Sequence, residues 1–437
     1  MTDITITSIG RGVLGIAVLI GIAWLFSTNR KKINWKLVIV GLLLQLTLAV
    51  GVLGSTNIYS FFNGIGGIFV SILGFTEEGT KFLFGNDFGA MSGNFGVIFA
   101  FHVLPTIVFF SAFTSLLYYF GILQKIVYGL AWVMKRTMGL SGAESLAAAA
   151  NVFIGQTEAP LVVKPYLAKM TKSEMLSLMT GGMATIAGGV MVAFIGFLAG
   201  PGADDATRQV FATHLLTASL MSAPAALLVA KILVPETEDF NKEMKFSKIN
   251  MGSNVLEVIA NGTTEGLKLA VNVGVMLLVF IAMMAMLNYV MLEWVGGLTG
   301  LNETIKASTG GRYAGLTLEY VMGYVFSPIA WLIGVNGNDI LLVGQLLGEK
   351  TILNEFYAYA SLGKLKEAGL FTENKSIIIA TYALCGFSNF ASIGIQIGGI
   401  GALAPERRTL LSQLGLRALL GGTIACLLTA SIIGMFF

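Results

Sequence analysis

Charge is scarce in this 437-residue chain. Only 12% of residues are Asp, Glu, Lys or Arg, about half the ~25% of a soluble domain. There are 2 histidines, 2 cysteines and 8 prolines. Two histidines cannot make an HExxH zinc site beyond a single motif, and none is present. No GxxxxGK[ST] phosphate loop appears, so ATP is not the expected energy source. No DxxxD pair for a metal-bound diphosphate is found either. Cys385 and Cys426 lie in apolar runs and read as buried thiols rather than a disulfide or metal pair. The thin, scattered charge excludes a nucleic-acid binder, a disordered chain and an ordinary cytosolic enzyme.

Apolar sequence is abundant: 55% of residues are hydrophobic and mean hydropathy is +0.80. Glycine is also plentiful, at 54 residues. A membrane span needs about 20 apolar residues. Spans are expected at Ile9–Phe26, Leu37–Leu53, Phe95–Phe120, Met175–Ala199, Phe211–Leu233, Leu267–Leu292, Ser376–Ile397 and Leu410–Phe437. The first ends at Arg30-Lys31-Lys32, the reverse of a signal peptide, and is read as retained. Residues 57–94, with Glu77, Glu78 and Lys81, read as interfacial helices.

Two stretches are apolar but interrupted. The first, Gly139–Lys169, breaks at Gly155-Gln156-Thr157-Glu158-Ala159-Pro160, leaving halves too short to span. The second, Phe326–Leu362, holds Asn336-Gly337-Asn338-Asp339 and Asn354-Glu355. Both are expected to be re-entrant hairpins. Placing the basic segments 30–36, 125–136, 164–172, 242–248 and 407–408 on the cytoplasmic side puts both termini outside and makes the hairpins enter from opposite faces. Each hairpin is followed by two spans, an order that suggests an inverted repeat with binding near the midplane. The expected fold is an all-α polytopic membrane protein with eight transmembrane helices, two opposed hairpins and interfacial helices. The expected divisions are 1–138, 139–235, 236–325 and 326–437.

An ionisable group in hydrocarbon is costly, and irregular backbone survives there only beside protein or a wet cavity. Four polar clusters sit inside apolar sequence: Asn151 to Glu158; Thr180 to Gly189, with two glycine pairs; Asn354-Glu355; and Cys385 to Ser392. Free carbonyls at a helix C-terminus suit a cation. Carboxylates and amides suit a neutral ligand rich in hydroxyls and amide edges. At the second cluster, a broken helix and plain close packing through small residues are both open from the pattern. Phe387 or Phe390 could face a ring or lipid. His102 reads as a packing or hydrogen-bonding residue, and Met276–Met291 as span packing.

The runs 151–161, 179–188, 354–359 and 385–393 resemble those of the concentrative nucleoside transporters, and the resemblance covers nearly the whole chain in order. It implies a bacterial inner (plasma) membrane protein that is not an enzyme and uses no cofactor. It implies a homotrimer in the lipid bilayer, with a scaffold domain and a transport domain moving as an elevator. By resemblance, the tip residues Gly155, Gln156, Thr157 and Glu158 face the nucleobase with Val190 beside it. Glu355, Asn389 and Ser392 hold the ribose, and Phe387 belongs to the same pocket. The coupling sodium ion would be held by the Asn151 side chain, the Thr185 hydroxyl and the carbonyls of Ile154 and Ile186. The function implied is sodium-driven import of uridine and other pyrimidine nucleosides, with purine nucleosides an open extension. A proton-coupled symporter, a membrane enzyme using the buried glutamates and a passive channel are the alternatives.

Overall fold

The computed structural model describes residues 5–89, 98–200, 202–244 and 251–437. The start of the expected span at Phe95 and part of the 235–248 linker lie outside these residues. The described residues are helical throughout, joined by turns and short irregular segments. In hydrocarbon that is the expected solution, because each helix satisfies its own backbone. Eight helical stretches among the described residues are long and apolar enough to cross a membrane.

Their membership differs from the sequence expectation at two places. Residues 56–89 form one 34-residue helix, α3 (Thr56–Gly89), kinked at Gly85. Short interfacial helices were expected there, but the small and apolar residues between the charges carry one continuous helix. The Ser376–Ile397 stretch is instead divided into α18 (Asn374–Leu384) and α19 (Phe390–Leu403).

The first four long helices are α1 (Ile6–Leu25), α2 (Trp35–Gly54), α3 and α4 (Phe99–Tyr119). The amphipathic α5 (Ile122–Met138) then buries Leu123, Val127, Ala131, Met134 and Met138 on one face, a helical spacing. It packs on the first arm of hairpin one, α6 (Gly142–Ile154). The return arm is short and broken into α7 (Ala159–Val162) and α8 (Lys164–Leu167). Pro160 suits the first turn of α7, and Pro165 denies α8 a continuous ladder with it.

The next two elements, α9 (Lys172–Ala184) and α10 (Gly188–Ala199), are one span broken in the middle. After them, α11 (Asp205–Leu233) runs through the centre, packed by α2, α3, α9 and α20. Lys231 near its end lies 2.5 Å from Glu144 and 3.1 Å from Glu236, tying the base of hairpin one to the core.

The second half opens with α12 (Val255–Tyr289), which lies along α4 and is exposed over much of its length. Short helices α13 (Gly297–Thr299) and α14 (Leu301–Ser308) follow. Then comes α15 (Leu318–Leu332), packed on the first arm of hairpin two. That hairpin is α16 (Ile340–Ile352) and α17 (Glu355–Glu367). Its first arm therefore begins at Ile340, and the residue 326 chosen as a boundary falls inside α15. Pro328 within the α15 run blurred that edge in the sequence. The broken α18 and α19 and the final α20 (Arg408–Ile433) complete the chain. Each half thus repeats one order: a flanking helix, a hairpin, a broken span and a long span.

Candidate functional site

The two broken spans cross. In the first, Thr185 and Ala187 adopt extended backbone, with ψ of 167° and 147°. The last carbonyls of α9 therefore lose their helical donors. In the second, residues 385–389 are non-helical and Gly386 takes φ +146°. A Cβ on Gly386 would stand 2.7 Å from the Ala184 carbonyl, so glycine is required for the breaks to touch. Cys426 Sγ donates to the Cys385 carbonyl at 3.0 Å and reaches the Ala184 carbonyl at 3.5 Å. The two cysteines are free and buried.

The hairpin tips meet this crossing from either side. Gly155 ends α6 at φ +83°, and a Cβ there would meet the Ala187 Cβ at 2.8 Å. That turn presents Gln156, whose Nε2 donates to Ser392 Oγ at 3.1 Å. Gln396 Nε2 donates to Gln156 Oε1 at 3.0 Å and to the Met179 carbonyl at 3.0 Å. Thr157 Oγ1 donates to Glu158 Oε2 at 2.8 Å, and both side chains are open to the cavity. At the second tip Asn354 caps α17, accepting from Tyr357 N at 2.9 Å. This leaves Glu355 at the helix start, where the dipole favours a carboxylate. Asn389 serves two elements: its Oδ1 caps α19 through Ser392 N at 2.9 Å, and its Nδ2 donates to Glu355 Oε2 at 2.8 Å.

Gly155, Gln156, Thr157, Glu158, Val190, Glu355, Phe387, Asn389 and Ser392 all line one cavity of about 380 Å³. This volume lies within the range of small-molecule sites. The fourth wall is α12, which contributes Leu269, Asn272, Val273 and Met276 among others. The sequence reading assigned Met276 to packing, and an even apolar helix carried no signal that one face turns to a cavity. Gln396 was missed as well. It does not line the cavity but fixes the amide of Gln156, which does. A second cavity of about 390 Å³ shares Thr157, Glu158, Ala187, Val190 and Leu269 with the first and runs on to Ser111, Thr114, Asn261 and Glu265.

Asn151 lies outside the cavity, on α6. It is buried, and neither its Oδ1 nor its Nδ2 has a hydrogen-bond partner. A buried polar group left unpaired costs about 1–3 kcal/mol, so this amide fits a site completed by something else. Thr185 and Ile186 are fully buried, and Thr185 Oγ1 donates to the Gly181 carbonyl at 2.9 Å. Ser219 Oγ, which the sequence reading did not single out, lies 3.4 Å from the Ile186 carbonyl and 3.5 Å from that of Val152. An amide, hydroxyls and carbonyls form an oxygen set suited to a hard cation. His102 and His214 lie away from the cavity. His214 Nδ1 is 3.2 Å from Tyr382 Oη, and His102 Nδ1 is 3.0 Å from the Ile98 amide.

Comparison with known proteins agrees with this architecture. The family description "Na+ dependent nucleoside transporter C-terminus" matches residues 214–434. "Na+ dependent nucleoside transporter N-terminus" matches 14–87, and "Nucleoside recognition" matches 100–201. An uncharacterized transporter of Haemophilus influenzae is 40% identical over 98% of both chains. Sodium/nucleoside cotransporter 1 of Rattus norvegicus is 37% identical over 97% of this chain and 63% of its own length. The chain thus spans about three-fifths of that animal relative. The solved structure of CNTnw in an inward-facing substrate-bound state is 36% identical, with a TM-score of 0.87 over 98% of this chain and 99% of its own. A CNTnw variant in an outward-facing state superposes with a TM-score of 0.85, at 35% identity over 99% of this chain and 98% of its own. On this evidence the chain belongs to the Na+-dependent nucleoside transporter family, as a multi-pass plasma-membrane cotransporter and not an enzyme.

Proposed function

We propose that this protein imports uridine and other pyrimidine nucleosides, driven by an inward sodium gradient. The observation that carries this reading is the single cavity in which both hairpin tips and the second broken span present polar side chains against a largely apolar wall from α12 and the first broken span. Gln156, Thr157 and Glu158 face the nucleobase, where the amide can pair with either edge of an amide-like ring. Val190 packs against it. Glu355 accepts from the ribose hydroxyls, steered by Asn389, with Ser392 and Phe387 completing the pocket. Val273 and Met276 of α12 close it.

Sodium binds between the end of α6 and the break in α9–α10. Asn151 Oδ1, Thr185 Oγ1 and the carbonyls of Ile154 and Ile186 hold it, with Ser219 alongside. The unpaired Asn151 amide supports this placement. Because Asn151 and Gln156 share one hairpin, an ion on the first fixes the turn that displays the second. Linkage makes the effect reciprocal, with a typical coupling of ~1–3 kcal/mol.

Alternating access follows from a transport unit, 139–235 with the second hairpin onward, 340–437, sliding as an elevator against a scaffold of 1–138 and 236–339. The assembly is a homotrimer. The cavity that continues past Glu158 to Asn261 and Glu265 supports a path between those units. Calorimetric titration of uridine at several sodium concentrations tests the reading: affinity should rise with sodium and level off. A sodium-independent affinity would refute it.

A further inference from the structure

The repeat places a different cation chemistry beside the matching point of the second half, one residue past Glu349, which holds the register of Asn151 in an arm of equal length. In the first half, Asn151 lies three residues from the end of α6 and packs at the end of broken α9. A Cβ on Gly181 would be 3.3 Å from its Nδ2. In the second half, Lys350 lies two residues from the end of α16 and reaches the end of broken α18. Its Nζ donates to the Ala383 carbonyl at 2.9 Å, one of the terminal carbonyls that carry a helix's partial negative charge.

Lys350 is 3% exposed, and among the described residues it forms no ion pair. A buried ammonium with one carbonyl partner is costly as mere filler. The charges around it supply a reason. Two helix C-termini cross at Gly386 and Ala184, and the carboxylate of Glu355 lies five residues along the chain from Lys350. Low-dielectric surroundings with that much negative potential call for positive charge in each half. A void of about 20 Å³ lined by Lys350, Thr351, Ala383 and Thr423 lies beside the ammonium, room for about one water.

We propose that Lys350 is a tethered cation, filling in the second half the place that a diffusible ion takes beside Asn151 in the first, so that one cation rather than two accompanies each nucleoside. This rests on the sodium site proposed above. Lys350 is a positioning residue: its charge stabilises the end of α18 and the carboxylate of Glu355 without touching the nucleoside.

The test compares wild type, Lys350→Arg and Lys350→Gln in uridine titrations across sodium concentrations, with and without methylammonium. Gln can still donate to Ala383 but carries no charge. Lys350→Gln should bind uridine about tenfold more weakly at low sodium, a typical coupling energy. Methylammonium or a second, steeper sodium dependence should restore binding, while Lys350→Arg stays near wild type. Wild-type affinity in Lys350→Gln, or a loss that neither cation restores, would overturn the proposal. Should Lys350→Gln not fold, charge movement per uridine in wild-type proteoliposomes decides: one charge is expected, and two would overturn it. Sodium dependence of the wild type separately tests the Asn151 site, so the two failures are distinguishable.

Discussion

The two hairpins have first arms of equal length, 13 residues in α6 and in α16, but opposite endings. Hairpin one turns through Gly155–Glu158 and returns in two fragments of 4 residues each, with Pro160 and Pro165 at their starts. Hairpin two turns through Leu353 and Asn354 alone and returns as the unbroken 13-residue α17. A loose return gives the first tip room for an amide, a hydroxyl and a carboxylate side by side. A rigid return gives the second tip one carboxylate at a helix start, aimed by Asn389. On the proposed assignment, the base side of the pocket is thus built from a turn and the sugar side from a helix terminus. The same asymmetry extends to charge, since the first arm carries an unpaired amide and the second an ammonium.

The sharpest way to break that contrast is at Glu355. Glu355→Gln keeps the shape but replaces a charged acceptor. A hydrogen bond to a charged group is worth about 1.5–3 kcal/mol, so uridine affinity should fall about ten- to a hundredfold in a calorimetric titration. Deoxyribose analogues should lose less.

Next is the turn of hairpin one. Gly155→Ala places a side chain at φ +83° and drives its Cβ into Ala187. The cost is about 1–3 kcal/mol for a strained backbone, visible as a lower Tm and weaker uridine binding together. An equal Tm would mean the turn relaxes freely.

Thr185→Ala removes one proposed sodium ligand and leaves the pocket side chains in place. The sodium concentration for half-maximal uridine binding should rise about tenfold, and saturating sodium should largely restore affinity. An unchanged sodium dependence would reduce the α9–α10 break to close helix packing.

The smallest effect is expected from Gln396→Ala. It frees Gln156 without removing a pocket group, at about 0.5–1.5 kcal/mol for a neutral hydrogen bond. Uridine should weaken a few-fold, with the sodium dependence intact.

The polar clusters were legible because several Glu, Asn, Gln or Thr side chains grouped inside an apolar run are conspicuous in hydrocarbon. The break at 185–187 was one of two readings its glycine pairs left open, and the break at 385–389 interrupts a stretch that the apolar pattern presented as one span. What stayed hidden was the fourth wall. Along α12, Val273 and Met276 face a cavity while Leu278 and Met286 are exposed, and all four are equally apolar. Gln396 was hidden for the opposite reason, as a single amide in an apolar run with no neighbour to mark it. The 34-residue α3 was obscured by its charged cluster, since Lys81 pairs with Glu77 and Glu78 along one helix face at 3.2 and 3.0 Å. Those i,i+3 and i,i+4 pairs support the helix rather than end it.

Radiolabelled uridine uptake into proteoliposomes at constant pH tests the central claim most directly. With an inward sodium gradient, uridine should accumulate above its external concentration, and replacing sodium with choline should abolish that accumulation. Accumulation that persists in choline and follows an imposed pH gradient would contradict the account.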